Sequence, residues 1–282
     1  MNPFPIHLIA DALDAAFAED LGLAGDITTN TIIPADSVSR GVIAGRKEGR
    51  VAGLPIAEAA FRRLDPAVEF RTLVADGQDV AAGAPVAAIA GNTRAILTAE
   101  RVALNYLGHL SGIATHTRAF AQAIAHTKAR ICCTRKTTPG LRGFDKYAVS
   151  AGGGLNHRFG LFDAVLIKDN HVTAAGGIGP AIERARQGIG HLVKIEVEVD
   201  RLDQLEEALR HRIDVALLDN MSLDDLRRAV AMAADSGVVL EASGGVTLDS
   251  VAGIAETGVH LISSGALTHS SVVLDLGLDF EE

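Results

Sequence analysis

The sequence has no tryptophan, two tyrosines and only two cysteines in 282 residues, and each scarcity excludes something. Aromatics make up 4% of the chain, and 35 acidic residues face 26 basic ones. Nucleic-acid binding needs a stacking platform and a positive surface, so no nucleic-acid partner is expected. The two cysteines, Cys132 and Cys133, are adjacent: a disulfide between neighbours would be severely strained, and no further thiols exist to complete a metal site. They read as small core hydrophobes in a reducing cytoplasm. A catalytic thiol is the alternative, because Arg135 and Lys136 nearby can lower a thiol pKa. The opening MNPFPIHLIADALDAAFAEDLG lacks a basic start, a continuous apolar stretch and a small-residue cleavage site, so no secretory signal is expected. No uncharged apolar run approaches membrane-spanning length, so no membrane partner is expected. Hydrophobic residues nevertheless reach 48%, enough for one large core or two modest ones.

What the chain does have is concentrated between Cys133 and His171. There CTRKTTPGLRGFDKYAVSAGGGLNHRFGLFDAVLIKDNH gathers Arg135, Lys136, Arg142, Lys146, His157, Arg158 and Lys168 into one stretch of an acidic protein. Glycines alternate with these cations, including the run Gly152, Gly153, Gly154, and let backbone N–H groups approach an oxyanion closely. Two apolar runs bracket the stretch, Ala129 to Cys133 and Ala164 to Ile167, and each runs straight into charge, as buried strands with reactive C-terminal ends do. A solvated basic loop needs neither three successive glycines nor cations placed where strands stop. The expected partner is a small polyanion.

From Lys128 onward one pattern repeats: an apolar run, a polar or charged terminus, then a helical stretch. The runs are ARICCTRK, DAVLIKDN, LVKIEVEVD, VALLDN, VVLEASGG and HLISSGA. Between them Pro180 to Gln187, Leu202 to His211, Leu223 to Ala234 and Leu248 to Glu256 have helical spacing, with Ser222 and Thr247 placed as caps. Repeated β-then-α units with buried strands predict an α/β fold with a parallel sheet, here a barrel. Six strands are evident and a seventh is expected near Leu155 to Leu161, which leaves the barrel incomplete or open.

Functional side chains of such a barrel belong at the C-terminal ends of its strands. That rule selects Thr134, Arg135 and Lys136, Lys168, Glu196 or Glu198, Asp219, Ser243 with Gly244 and Gly245, and Ser264 with Gly265. Lys194, Glu196 and Glu198 alternate with Ile195, Val197 and Val199, so all three charges are expected on the lumen face of one strand. Charges there are costly unless paired. Glu198 and Asp219 are the acidic pair expected to meet substrate, with Glu196 as a partner for Lys136 or Lys168. EASGGVT and ISSGALTHS put small residues where a strand hands over to a helix or loop, and backbone N–H groups at such a place bind phosphate. The last two barrel strands are the usual phosphate position. Ser243, Gly244, Gly245, Ser264, Gly265 and Ala266 are therefore the expected phosphate cradle; His269 could assist, with a solvated or core histidine as the alternative.

Ahead of the barrel, Pro5 to Leu21 has helical spacing and GDITTNTIIPADS reads as a strand opening after a turn at Gly25 and Asp26, with Thr28, Thr29 and Thr31 as site candidates. Short alternating runs between Arg40 and Ile96, around a helical stretch Pro55 to Leu64, are α+β sandwich material. DGQDVAAGAPVAAIAG resembles the hairpin of cofactor-carrying lipoyl and biotinyl domains, but no lysine lies between Lys47 and Lys128 to carry a cofactor. Glu100 to Leu110 is a strong helix and the expected hinge between a sandwich domain, 1–108, and a catalytic barrel, 109–282, with the last residues packing back on the first domain.

TRKTTPGLR, KYAVSAGGGLNHRFGL and LIKDNH, matching in order over nearly the whole chain, resemble the quinolinate phosphoribosyltransferase family. The resemblance implies a TIM-like open parallel barrel after an N-terminal α+β sandwich. It implies a reaction of quinolinate with phosphoribosyl pyrophosphate giving nicotinate mononucleotide, pyrophosphate and carbon dioxide, with Mg²⁺ carried by the pyrophosphate substrate. On that chemistry Arg135, Arg158 and Arg101 suit two adjacent carboxylates as planar forked donors, and Lys136, His157 and Lys168 add compact charge. Glu198 and Asp219 would meet ribose hydroxyls or the metal-bound substrate, and Lys136 or Lys168 would supply the proton that replaces carbon dioxide. The family's matching arginine also implies that Arg101 reaches the site of a partner subunit, hence a homodimer with shared sites, which can assemble into a hexamer. The family has a Gly-Asp-x-Thr at the Gly25 position as well. The rivals are a molybdenum-associated paralogue that shares RKT and a glycine-rich HR stretch but departs at KDNH, a nicotinate phosphoribosyltransferase handling one carboxylate, and a non-catalytic polyanion-binding protein.

Overall fold

The computed structural model describes residues 2–281, and the chain divides into two units. One comprises the residues up to Arg118, Thr138–Gly153 and those from Ser270 onward; the other comprises Ala119–Thr137 and Gly154–His269.

The first unit is built on a four-stranded antiparallel sheet. α1 (Ile9–Leu21) buries Leu13 and Phe17. The next segment is a helix, α2 (Ile27–Ile32), where the sequence reads as a strand. Asp26 decides it: its carboxylate accepts the Thr29 N–H at 2.9 Å as an N-cap, and the Thr31 hydroxyl donates to the Ile27 carbonyl at 2.8 Å. Those side chains satisfy the helix's own backbone, so their β propensity is overridden. Then come β1 (Val38–Gly45), β2 (Gly49–Arg50), α3 (Leu54–Leu64), β3 (Glu69–Thr72), β4 (Asp79–Val80) and β5 (Pro85–Asn92), with β2 and β4 forming a separate small ladder. Asp76 caps α3, accepting the N–H of Gly53 at 2.9 Å and of Leu54 at 3.1 Å. Tyr147 donates to the same carboxylate at 2.6 Å, and burial first, then this bond, pushes its phenol pKa up.

α4 (Thr93–Ala123) runs for 31 residues, so the expected boundary at 108 and 109 falls inside one continuous helix. α5 (Arg142–Ala151) belongs to the first unit because of what it buries: Phe144 lies 5.7 Å from the Phe4 ring and 6.1 Å from Tyr106. On the same helix Asp145, fully buried, bonds His109 Nε2 at 2.8 Å and accepts the Thr138 N–H at 2.9 Å. The sheet is completed by the final strand, β12 (Leu276–Phe280), which pairs antiparallel with β1 from Gly45↔Leu276 to Gly41↔Phe280. Arg46 forks onto Asp279 beside it at 2.8 and 2.7 Å. An exposed pair of this kind is screened by solvent and contributes little, so the ladder and its apolar contacts hold the strand, not the clasp.

The second unit carries six parallel strands: β6 (Arg130–Cys132), β7 (Val165–Ile167), β8 (Ile195–Val199), β9 (Val215–Asp219), β10 (Val239–Ser243) and β11 (Leu261–Ser263). Their spatial order, β6-β11-β10-β9-β8-β7, is that of an open TIM-like sheet. The helices are α6 (Asp169–Ala175), α7 (Ile178–Gly188), α8 (Leu202–Leu209), α9 (Leu223–Ala233), α10 (Leu248–Ala255) and the short α11 (Ala266–His269). Ser222 and Thr247 cap α9 and α10 as expected, accepting from Asp225 N and Ser250 N. The seventh strand is reduced to one residue: Leu155 bridges Cys132, donating to Ile131 O at 2.8 Å and accepting from Cys133 N at 3.0 Å. Beyond it the Asp163 carboxylate takes the N–H groups of Phe159 and Gly160, a local turn that competes with any further ladder. Lys194 is also misplaced by the sequence reading. β8 begins one residue later, and Lys194 is exposed, 3.4 Å from Asp214 at the opposite end from the strand termini. Among the described residues, no helix is long and apolar enough to cross a membrane.

Candidate functional site

The strand ends of the second unit surround a cavity of about 590 Å³. Thr134, Arg135 and Lys136 enter it after β6, His157 and Arg158 from the loop before β7, Lys168 after β7, and Glu198 from β8. Asp219, Asn220, Ser243, Gly244 and Gly245 close the far wall at the ends of β9 and β10. Most of the side chains picked from sequence thus converge on one volume.

Arg135 and Arg158 are the strongest electrostatic feature. The Nε–H of each is buried with no hydrogen-bond partner, while Arg158 Nη1 donates to the Ala164 carbonyl at 3.0 Å. Burial first, and the Arg135 charge second, hold the Arg158 guanidinium below its ordinary pKa. Two cations that repel one another, each with a buried donor lacking an acceptor, stand at about 1–3 kcal/mol of unmet hydrogen bonding apiece. An anion with two acceptor groups relieves both.

Lys136 is held by its backbone. Its N–H donates to the Thr134 hydroxyl at 3.0 Å and its carbonyl accepts from Thr268 Oγ1 at 2.7 Å. Gly265 leaves room for its stem, since a Cβ there would lie 2.8 Å from Lys136 Cδ. Lys168 sits one residue past β7, whose register sets Ile167 beside Val197 and so brings Lys168 to Glu198; Nζ meets Oε2 at 2.5 Å. The His171 ring reaches back to the Lys168 N–H at 3.0 Å, fixing the start of α6. On β9, Asp219 accepts from Asn220 Nδ2 at 2.8 Å. Asn220 takes positive φ, 53°, and lies so close under Gly244, itself at φ 91°, that a Cβ at 244 would stand 2.3 Å from the amide oxygen. No other residue type fits there.

One expectation changes, and two residues join the site. His157 Nδ1 accepts the Arg158 N–H at 2.8 Å, and its Nε2 faces Glu196 at 2.9 Å. Glu196 is buried against His157 and partners neither Lys136 nor Lys168. Glu241 on β10, which the sequence reading passed over, lines the cavity at 2% exposure; burial first and the charge of Glu196 second raise its pKa to about 7. The same alternation that singled out Glu196 and Glu198 would have found it, because Glu241 and Ser243 alternate with Leu240 and Ala242. Asn220 was missed too; its signal is a β-strand ending directly in Asp-Asn. His157, Glu196 and Glu241 could between them hold a metal ion, their ligand-type atoms lying within 4.8 Å of one another.

Other candidates lie outside this cavity. Ser264 donates its N–H to Cys132 O at 3.0 Å and its hydroxyl to Val246 O at 3.3 Å, and neither it nor Gly265, Ala266 and His269 is part of the lining. Arg101, on α4, is 65% exposed and lines a second cavity of about 230 Å³ with Glu19, Asp20, Tyr106 and His109. Thr28, Thr29 and Thr31 are in α2. Both cysteines are buried thiols, with Cys133 Sγ donating to Asn156 Oδ1 at 3.2 Å.

Comparison with known proteins places these features. Residues 26–111 match the family model described as quinolinate phosphoribosyl transferase, N-terminal domain, and residues 113–279 match that of its C-terminal domain. The chain is 44% identical over 282 residues to a probable nicotinate-nucleotide pyrophosphorylase [carboxylating] of Synechocystis sp., covering 99% of this chain and 95% of the relative. It is 43% identical to the nicotinate-nucleotide pyrophosphorylase [carboxylating] of Mycobacterium leprae, covering 95% and 96%. Among solved structures, the nicotinate-nucleotide pyrophosphorylase from Francisella tularensis superposes with a TM-score of 0.95 at 39% identity, covering 99% of this chain and 98% of that one.

Proposed function

We propose a division of labour among the cavity residues of this chain, which belongs to the quinolinate phosphoribosyltransferase family. The family's reaction joins quinolinate to phosphoribosyl pyrophosphate and releases pyrophosphate and carbon dioxide, leaving nicotinate mononucleotide. The observation that carries the assignment is the pair of buried guanidinium Nε–H donors on Arg135 and Arg158. Two adjacent carboxylates on one ring are the acceptor pair that such donors fit, with Lys136 adding charge at the same end. Glu198 and Asp219, on neighbouring strands, accept the ribose hydroxyls and favour the positive charge that develops at the anomeric carbon as pyrophosphate leaves. Mg²⁺ enters with phosphoribosyl pyrophosphate as part of that substrate, held largely by its oxygens and by water. The sugar phosphate rests at Gly244 and Gly245, whose positive φ and lack of side chains leave backbone accessible.

Attack by the ring nitrogen makes it cationic, and only then can the neighbouring carboxylate leave as carbon dioxide, its electron pair held beside the positive nitrogen. Lys136 or Lys168 supplies the proton that takes its place. The direct test is to incubate the protein with quinolinate, phosphoribosyl pyrophosphate and Mg²⁺. Carbon dioxide and pyrophosphate are expected in equal amounts; pyrophosphate release with another base but none with quinolinate would sink the assignment.

Arg101, exposed on its own chain, is assigned to the dicarboxylate site of a partner subunit in a homodimer, and the buried thiols suit a reducing cytoplasm. Mixing two inactive variants, Arg101→Ala and Lys136→Ala, tests the sharing. In a two-fold dimer half of the mixed population is hybrid and each hybrid holds one intact site, so about a quarter of native activity returns. No recovery, with subunit exchange demonstrated by mass spectrometry, rules against a shared site.

A further inference from the structure

Asn220 lines the cavity but has no part in the roles above. Among the described residues it is the one residue other than glycine with positive φ, and it is exposed, so its side chain serves no core. Glycine would take that backbone conformation at no steric cost. What the asparagine adds is a side chain that touches both neighbours in the cavity wall. Its Nδ2 donates to Asp219 Oδ2 at 2.8 Å, and among the described residues no other group bonds that carboxylate. Its Oδ1 lies under Gly244, where a Cβ would come within 2.3 Å of it, and a Cβ on Gly245 would stand 4.0 Å away. The backbone ties the same two strands together: the Asn220 N–H donates to Ser243 O at 2.9 Å, just past the last ladder pair, Ser243↔Asp219.

We propose that Asn220 is a positioning residue for the sugar half of the reaction. It commits one oxygen of Asp219 to its amide, which leaves the other for a ribose hydroxyl, and it sets the spacing between that carboxylate and the Gly244 and Gly245 backbone that takes the sugar phosphate. The inference rests on reading Asp219 and the two glycines as the ribose and phosphate contacts. A carboxylate at a strand end turns about two side-chain torsions; a bond to one oxygen removes that freedom before substrate arrives. The hydroxyls and the 5-phosphate of one sugar are joined covalently, so their separation is fixed. A site that grips both gains the second contact without further ordering only if its own two halves already keep the matching distance. Asn220 touches both halves. Aspartate has its shape but would face Asp219 with a second carboxylate where the donor stood, and glycine has its backbone but neither contact.

Three measurements on Asn220→Gly test this: steady-state kinetics against phosphoribosyl pyrophosphate at saturating quinolinate, calorimetric titration with quinolinate alone, and a thermal melt. kcat/KM for phosphoribosyl pyrophosphate is expected to fall about tenfold to a hundredfold, the effect of one charge-assisted hydrogen bond. Quinolinate affinity should stay within about twofold of native and the melting temperature should not drop, because the change leaves Arg135 and Arg158 alone and relieves the backbone. Since Asn220 acts through Asp219, the same substitution in an Asp219→Ala protein is expected to cost several-fold less. An Asn220→Gly protein within about twofold of native in kcat/KM overturns the proposal, as does an equal cost in both backgrounds. A fall in quinolinate affinity as large as that for the sugar substrate, with a lower melting temperature, makes the residue merely structural and overturns it as well. If Asn220→Gly does not fold, Asn220→Asp keeps the shape without the donor, and native kcat/KM in that variant overturns the proposal instead. Native protein that binds quinolinate yet releases no pyrophosphate is a different result, and removes the reading of the sugar site on which the inference stands.

Discussion

Replacing Arg135 with alanine is expected to lower kcat/KM for quinolinate by roughly a thousandfold, the largest effect of any single change in the cavity. Two charge-assisted hydrogen bonds to a carboxylate, about 1.5–3 kcal/mol each, account for a loss of this size. The substitution also separates binding from folding. Arg135 and Arg158 repel one another in the protein alone, so removing one leaves the fold no less stable. Steady-state kinetics over a range of quinolinate concentrations, with a thermal melt alongside, give both numbers. An unchanged kcat/KM removes Arg135 from the site; a melting temperature several degrees lower makes its role structural.

Lys168→Ala is expected to cost roughly a hundredfold to a thousandfold, chiefly in kcat. Its ammonium contacts Glu198 Oε2 at 2.5 Å, so the change removes a cation from the cavity and also the partner of a carboxylate assigned to the ribose. The Lys168 side chain is 45% exposed and belongs to no core, so the far-UV spectrum should not change. Turnover within about twofold of native would take Lys168 out of the mechanism.

The barrel was legible because burial and charge change places sharply at each strand end. VLI runs into Lys168 and VALLD into Asn220, and period-two alternation put Glu196 and Glu198 on one face. The readings that failed are those where a side chain answers to a neighbour invisible in linear sequence. Asp26 turned an apparent strand into a helix by capping it, and Asp163 took the amides that would have extended a seventh strand. Lys194 continues the alternation of β8, but the ladder starts after it, and periodicity does not mark where pairing begins. Glu196 looked like a partner for a lysine because both stand at strand ends; it meets His157 instead, which arrives from the loop before β7. Arg101 reads as an ordinary solvated helix residue on one chain, and only the family resemblance gave it a role.

The pairing of β12 with β1 bears on how the molecule is made. Gly45 and Leu276 are partners roughly 230 residues apart, a closure that costs about 5 kcal/mol of chain entropy before any of the ladder forms. A ribosome delivers every strand of the barrel before it delivers Leu276. The sheet that β1 begins is therefore finished only after the barrel strands have been made, and a nascent chain holds β1 as an unprotected edge until Leu276–Phe280 has emerged.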